Sequence, residues 1–170
     1  MKKSFLIVFT FFSILVNAQK ISADYIDEFN NAHIKRTEWE QLTFESKAVT
    51  HYRFSKIDDQ YVIQLKIMRG GNFFSVNEND ELMLKLINSE IVTLKSIQYS
   101  TTCVGCGSTG INGSQSQGIS VGYKINNEQY DLLTQNIISK IRIHTNNSFI
   151  DLDIKNKKAI VLQNSLILIK

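Results

Sequence analysis

The chain has no proline, only two cysteines, three histidines and a single tryptophan in 170 residues. The missing proline excludes collagen-like repeats and proline-rich linkers. Two cysteines exclude a disulfide-dense scaffold and cannot form a four-cysteine zinc or iron–sulfur site, and His33, His51 and His144 add few further ligands. No cofactor or metal site is therefore expected. Charge of one sign is equally scarce, since 19 Lys and Arg stand against 16 Asp and Glu, mostly scattered singly. Binding a polyanionic nucleic acid needs a basic stripe, so no nucleic-acid partner is expected. What is present is 43% apolar residues, enough for a chain of this length to bury a core without staples.

The longest apolar run is Phe5 to Val16, twelve residues that follow Met1-Lys2-Lys3-Ser4 and end at Val16-Asn17-Ala18. A basic start, a short apolar stretch and small residues before Gln19 read as a signal peptide over 1–18. A bilayer takes about 20 apolar residues to span, so an anchor is disfavoured, and no cysteine follows to carry a lipid. The expected mature chain is 19–170, one β-rich domain with no membrane span after signal removal. Losing Lys2 and Lys3 lowers the net charge from +3 to +1. The expected location is periplasmic or secreted, where thiols oxidise.

Alternation dominates the rest. Tyr61, Ile63, Leu65 and Ile67 share one face, as do Leu82, Leu84 and Leu86, and Ile119, Val121, Tyr123 and Ile125. Ile141 and Ile143 alternate with Lys140, Arg142 and His144, and Ile150, Leu152 and Ile154 with Asp151 and Asp153. A period of two with one charged face predicts antiparallel strands, since parallel ones are buried on both faces. Asp58-Asp59, Asn88-Ser89 and Asn146-Asn147 predict hairpin turns between them. In 91–100 the apolar phase slips between Leu94 and Ile97, which predicts a bulge. Asn126 with Gln129 forms a capping-box pattern, and Tyr130, Leu133 and Ile137 at helical spacing predict a short helix over 127–136. Ala159, Leu162 and Leu166 predict a C-terminal helix over 155–168, although Ile160, Val161 and Ile167 suit a strand as well. The expected fold is mainly β, an antiparallel sandwich or flattened barrel of seven to nine strands with one short inserted helix and a possible C-terminal one.

Between Ser96 and Tyr123 there is no charged residue, and Thr101 to Gly118 holds five of the eight glycines. Polar loops of this length are often binding loops or mobile hairpin tips. The binding reading assigns contacts with an uncharged polar ligand, such as a glycan, to Thr109, Asn112, Ser114, Gln115 and Gln117. Cys103-Val104-Gly105-Cys106 within it predicts a local disulfide. The alternative is an envelope thiol-redox or metal-binding role for Cys103 and Cys106, although redox pairs sit at a helix N-terminus and Gly107-Ser108-Thr109-Gly110 does not favour one.

Other motifs carry little. Gly105 to Gly110 satisfies G-x-G-x-x-G, but no helix is expected to follow and export removes the protein from dinucleotide pools. Asp151 and Asp153 share an outer strand face roughly 7 Å apart, a separation that glycosidase carboxylates use, and a hydrolase would need a cleft there. His144 is expected to be solvated beside Lys140 and Arg142. Trp39 either caps the core or forms a sugar platform, the core reading being favoured.

Several fragments resemble one group of proteins: the signal ending Asn17-Ala18-Gln19-Lys20, Phe73-Phe74-Ser75-Val76 before Asp80-Glu81-Leu82, Cys103-Val104-Gly105-Cys106-Gly107 and Ile141-Arg142-Ile143-His144-Thr145. Together they resemble exported β-rich proteins of Bacteroidota-type bacteria to which no function is assigned. The resemblance implies a small periplasmic or secreted domain and carries no catalytic residues. The expected function is a non-enzymatic binding or interaction module that presents loop 101–118 to a polar ligand or an envelope protein.

Overall fold

The computed structural model describes residues 20–45, 48–71, 73–110 and 115–170. The chain opens with β1 (Ile21–Ile26), β2 (His33–Thr37) and β3 (Glu40–Glu45), followed by the long hairpin of β4 (Ala48–Ile57) and β5 (Gln60–Arg69). Next come β6 (Ser75–Val76), β7 (Glu81–Leu86), β8 (Ile91–Ser96), β9 (Ser100–Thr101), β10 (Cys103–Val104) and β11 (Gln117–Ile125). The helix α1 (Asn127–Gln135) leads into β12 (Ile138–His144) and β13 (Phe149–Asp153), and α2 (Asn156–Leu168) ends the chain. All pairings are antiparallel.

The main sheet runs β1-β2-β4-β5-β11-β8-β7-β12-β13. It is two half-sheets held at one corner, because β11 pairs with β5 over eight residues but with β8 only at Tyr123 opposite Ser96 and Lys124 opposite Lys95. Leu65, Ile67, Ile119 and Val121 of one half belong to the same buried cluster as Leu82, Leu84, Ile141 and Ile143 of the other, with Leu133 of α1 and Leu162 and Leu166 of α2. Nine flat strands at roughly 4.8 Å spacing would be too wide for two helices of about 10 Å diameter to cover. The sheet therefore bends at the β11/β8 corner and closes over its own inner face. β1 and β13 remain edges, so the open sandwich fits and the closed barrel does not.

The three predicted hairpins form as expected, with Asp58 at φ +50° and Ser89 at φ +71°, the left-handed backbone that such turns require. The α1 capping box is complete: Asn126 accepts from the Gln129 amide at 2.8 Å, and the Gln129 side chain accepts from the Asn126 amide at 2.9 Å. Residues 156–168 settle as helix, burying Ala159, Leu162, Ser165 and Leu166 on one stripe.

Two expectations need correction. Thirteen strands appear among the described residues rather than seven to nine, because 21–45 supplies three strands too polar to show alternation and β6, β9 and β10 have two residues each. The phase slip in 91–100 is not a bulge within a continuing strand. β8 stops at Ser96, Ile97 donates its amide to Gly122, and Ser100–Thr101 leave to pair with β6 in a separate ribbon.

Candidate functional site

The path of β2 and β3 creates the most unusual surface of the molecule. Both strands pair with the same edge of β4, β2 along Ser55 to Ile57 and β3 along Ala48 to Tyr52. The chain steps from one to the other at Glu38-Trp39, opposite Arg53. The interruption would leave the Phe54 amide without a ladder partner, and the Thr37 hydroxyl accepts it at 3.0 Å. A buried amide left unpaired would cost about 1–3 kcal/mol, so Thr37 fixes the step and with it the position of Trp39.

Trp39 is half-buried and lies outside the core cluster, so the core reading does not hold. Its indole carries two cations instead: the Arg53 guanidinium 4.5 Å and the Lys66 ammonium 4.8 Å from the ring centroid. The β4–β5 register sets Arg53 opposite Gln64 and His51 opposite Lys66, so these four side chains share the outer face. The Gln64 carbonyl accepts from Arg53 Nε, and Lys66 Nζ donates to the Ser108 carbonyl at 2.6 Å.

Loop 101–118 is anchored against this same face. Cys103 and Cys106 are paired as a disulfide, with Cα atoms 5.4 Å apart, and β10 pairs with the start of β11. Gly107 and Gly118 pack directly on each other and on the Ile67 carbonyl, where a Cβ on Gly118 would stand 2.6 Å from the Gly107 nitrogen. Only glycine allows that approach, which brings Ser108 within reach of Lys66. Neighbouring Thr109 and Gln115 are exposed; Gln117 is half-buried with Oε1 unpaired, and Asn112 and Ser114 lie outside the described residues. No helix follows Cys106, where Gly105 to Ser108 instead form a turn. Among the described residues no group of three His, Cys, Asp or Glu converges to hold a metal.

The electrostatics of the two half-sheets contrast. On β7, β8, β12 and β13, Lys95 pairs with Glu81 at 2.7 Å, Arg142 grips Asp151 at 2.7 and 2.8 Å, and Lys140 reaches both Asp151 and Asp153. Arg142 holds the Asp151 carboxyl down to about 2. A glycosidase general acid needs the opposite shift, whereas Asp151 serves an ion-pair network with Arg142 and Lys140. His144 is half-buried with Nε2 shut from water, not solvated as the sequence suggested.

Around Trp39, by contrast, no carboxylate lies within 4.0 Å of Arg36, Arg53 or Lys66 among the described residues. Burial, then Arg36, lowers the Arg53 pKa; burial, then Arg53, lowers that of Lys66. Burial, then Lys66 and Lys158, lowers that of His51. The two distances to the indole put the Arg53 and Lys66 charges within about 9 Å, a repulsion of about 2 kcal/mol at an effective dielectric near 20, before salt screening. Cation–π attraction returns about 0.5–1 kcal/mol for each cation at an exposed site, so the indole barely offsets the repulsion.

Sequence reading missed this cluster, although one signal was legible. A two-residue turn at Asp58-Asp59 fixes the hairpin register and therefore places His51, Arg53, Gln64 and Lys66 on one face. Trp39 and Ser108 have no such local signal. The fold defines a mainly antiparallel β domain with a disulfide-pinned polar loop beside a cationic aromatic face. Neither the family models nor the curated proteins and solved structures yield a match.

Proposed function

We propose that this protein is an exported, non-enzymatic binding module of the periplasm or extracellular space, whose ligand lies across Trp39 and loop 101–118. The observation that carries the reading is the packing of Gly107 and Gly118 on Ile67, which holds an otherwise featureless loop against the face that bears the only tryptophan. A loop base fixed by close backbone contact loses less entropy on binding than a free segment, and pre-organised sites of this kind favour recognition. Export rests on the basic start, apolar run and small residues of 1–18. The outer-face carboxylates that a hydrolase would use are tied up by Arg142 and Lys140, which further favours binding over catalysis.

An array of neutral and acidic polysaccharides, probed with residues 19–170, tests the reading. Binding to at least one polymer that is lost in Trp39→Ala is the expected result. Absence of binding to all of them, with the protein folded, would refute it.

A further inference from the structure

We infer that the face formed by Arg53, Lys66 and Trp39 is an oxyanion site, taking a sulfate, phosphate or carboxylate group of the ligand. The inference rests on the binding-module reading and adds the chemistry of the ligand, which replaces the uncharged one that the loop composition suggested.

Three observations converge. Arg53, Lys66 and Arg36 have no carboxylate neighbour among the described residues, whereas the cations of β12 are neutralised by Asp151 and Asp153. Charge matching is thus used across β12 and β13 and withheld around Trp39, the His33–Asp24 contact lying apart from it on β1 and β2. The outer faces of β4, β5 and β11 carry His51, Arg53, Gln64, Lys66, Ser120 and Lys124 at register positions with no Asp or Glu among them. Donors also remain free after the internal bonds are made. Among the described residues Arg53 gives only Nε to Gln64, and Lys66 gives one of its three protons to Ser108, so the terminal guanidinium nitrogens and two ammonium protons find no other acceptor there. The planar guanidinium fork suits two oxygens of one anion, and the lysine adds a point charge beside it.

Trp39 has the matching role. It gathers two like charges at one place without neutralising either, as an acid would do, and so keeps the pair available. A bound oxyanion removes the repulsion between Arg53 and Lys66 and raises the lowered pKa of His51 beside them.

Trp39 is the only tryptophan, so fluorescence excited selectively at tryptophan, beyond the absorption of the six tyrosines, reads this face alone. Residues 19–170 are titrated with dextran, dextran sulfate and sodium sulfate. Dextran sulfate is expected to bind at least tenfold more tightly than dextran, with an affinity that falls as sodium chloride rises. A response to sodium sulfate at the same concentration of sulfate groups assigns the site to a free anion, and a much weaker one assigns it to a polymer; both uphold an oxyanion site. Arg53→Gln and Lys66→Gln are each expected to lose at least tenfold, while Lys85→Gln on β7 changes binding less than twofold. Equal binding of dextran and dextran sulfate by the unaltered protein would overturn the oxyanion inference and leave the binding module standing. An equal loss in Lys85→Gln would overturn it too, by showing general attraction to a polyanion. Failure of every polymer in the array would instead remove the reading on which it rests.

Discussion

Gly118→Ala isolates the contact that holds the loop to the sheet. The new methyl would stand 2.6 and 2.7 Å from the nitrogen and Cα of Gly107 and 2.7 Å from the carbonyl oxygen of Ile67. All three are backbone atoms, so no flexible side chain can yield. Restoring ordinary contact at about 3.5 Å requires loop and strand to part by about 1 Å. Over-packing of this kind costs about 1–3 kcal/mol. Alanine in a strand returns about 0.5–1 kcal/mol by restricting the unfolded chain, so a net loss of up to about 2.5 kcal/mol is expected. Gly110→Ala is the matched control: nothing lies within 4 Å of its Cβ position and its φ is not positive, so stability is expected to hold or to rise by up to about 1 kcal/mol. Urea unfolding followed by Trp39 fluorescence measures both, provided the denaturant slope is unchanged. Gly118→Ala at or above the stability of the unaltered protein would refute the close approach.

Two further outcomes are expected. Replacing Cys103 and Cys106 together with Ser removes a four-residue cross-link, for which chain entropy allows about 2 kcal/mol at most; a urea-unfolding loss beyond about 3 kcal/mol would show that the pair does more than fix the loop base. His51 has a lowered folded pKa, so below its ordinary value near 6.5 the unfolded chain binds more protons, and stability falls as pH drops from 7 through 6.5 toward the folded value. His51→Gln should flatten that part of the curve, and thermal melts between pH 5 and 7.5 that show the same slope for both proteins would contradict the assignment.

Where local rules govern, the sequence by itself determined the structure. Period-two alternation set the inward faces of β5, β7, β11, β12 and β13, Asn and Asp placed the turns, and Asn126 with Gln129 placed the start of α1, because each depends on neighbours a few residues apart. The ambiguous segment 156–168 became helix only in three dimensions, where one stripe of Ala159, Leu162 and Leu166 meets the common core. Likewise, nothing local in 21–45 marks strands, since β1 is a polar edge strand and β2 and β3 bury just Ile34, Thr37 and Leu42 among their described side chains. The candidate site belongs to the tertiary structure for the same reason. Trp39, Arg53, Lys66 and Ser108 are separated by up to 69 positions, and they meet because β2 and β3 share one edge of β4 while two glycines let the loop lie on β5. Their charges are scattered along the chain, so composition records near neutrality, and only the folded sheet gathers Arg53 and Lys66 at Trp39 while pairing Lys140 and Arg142 with Asp151 and Asp153 on the other half.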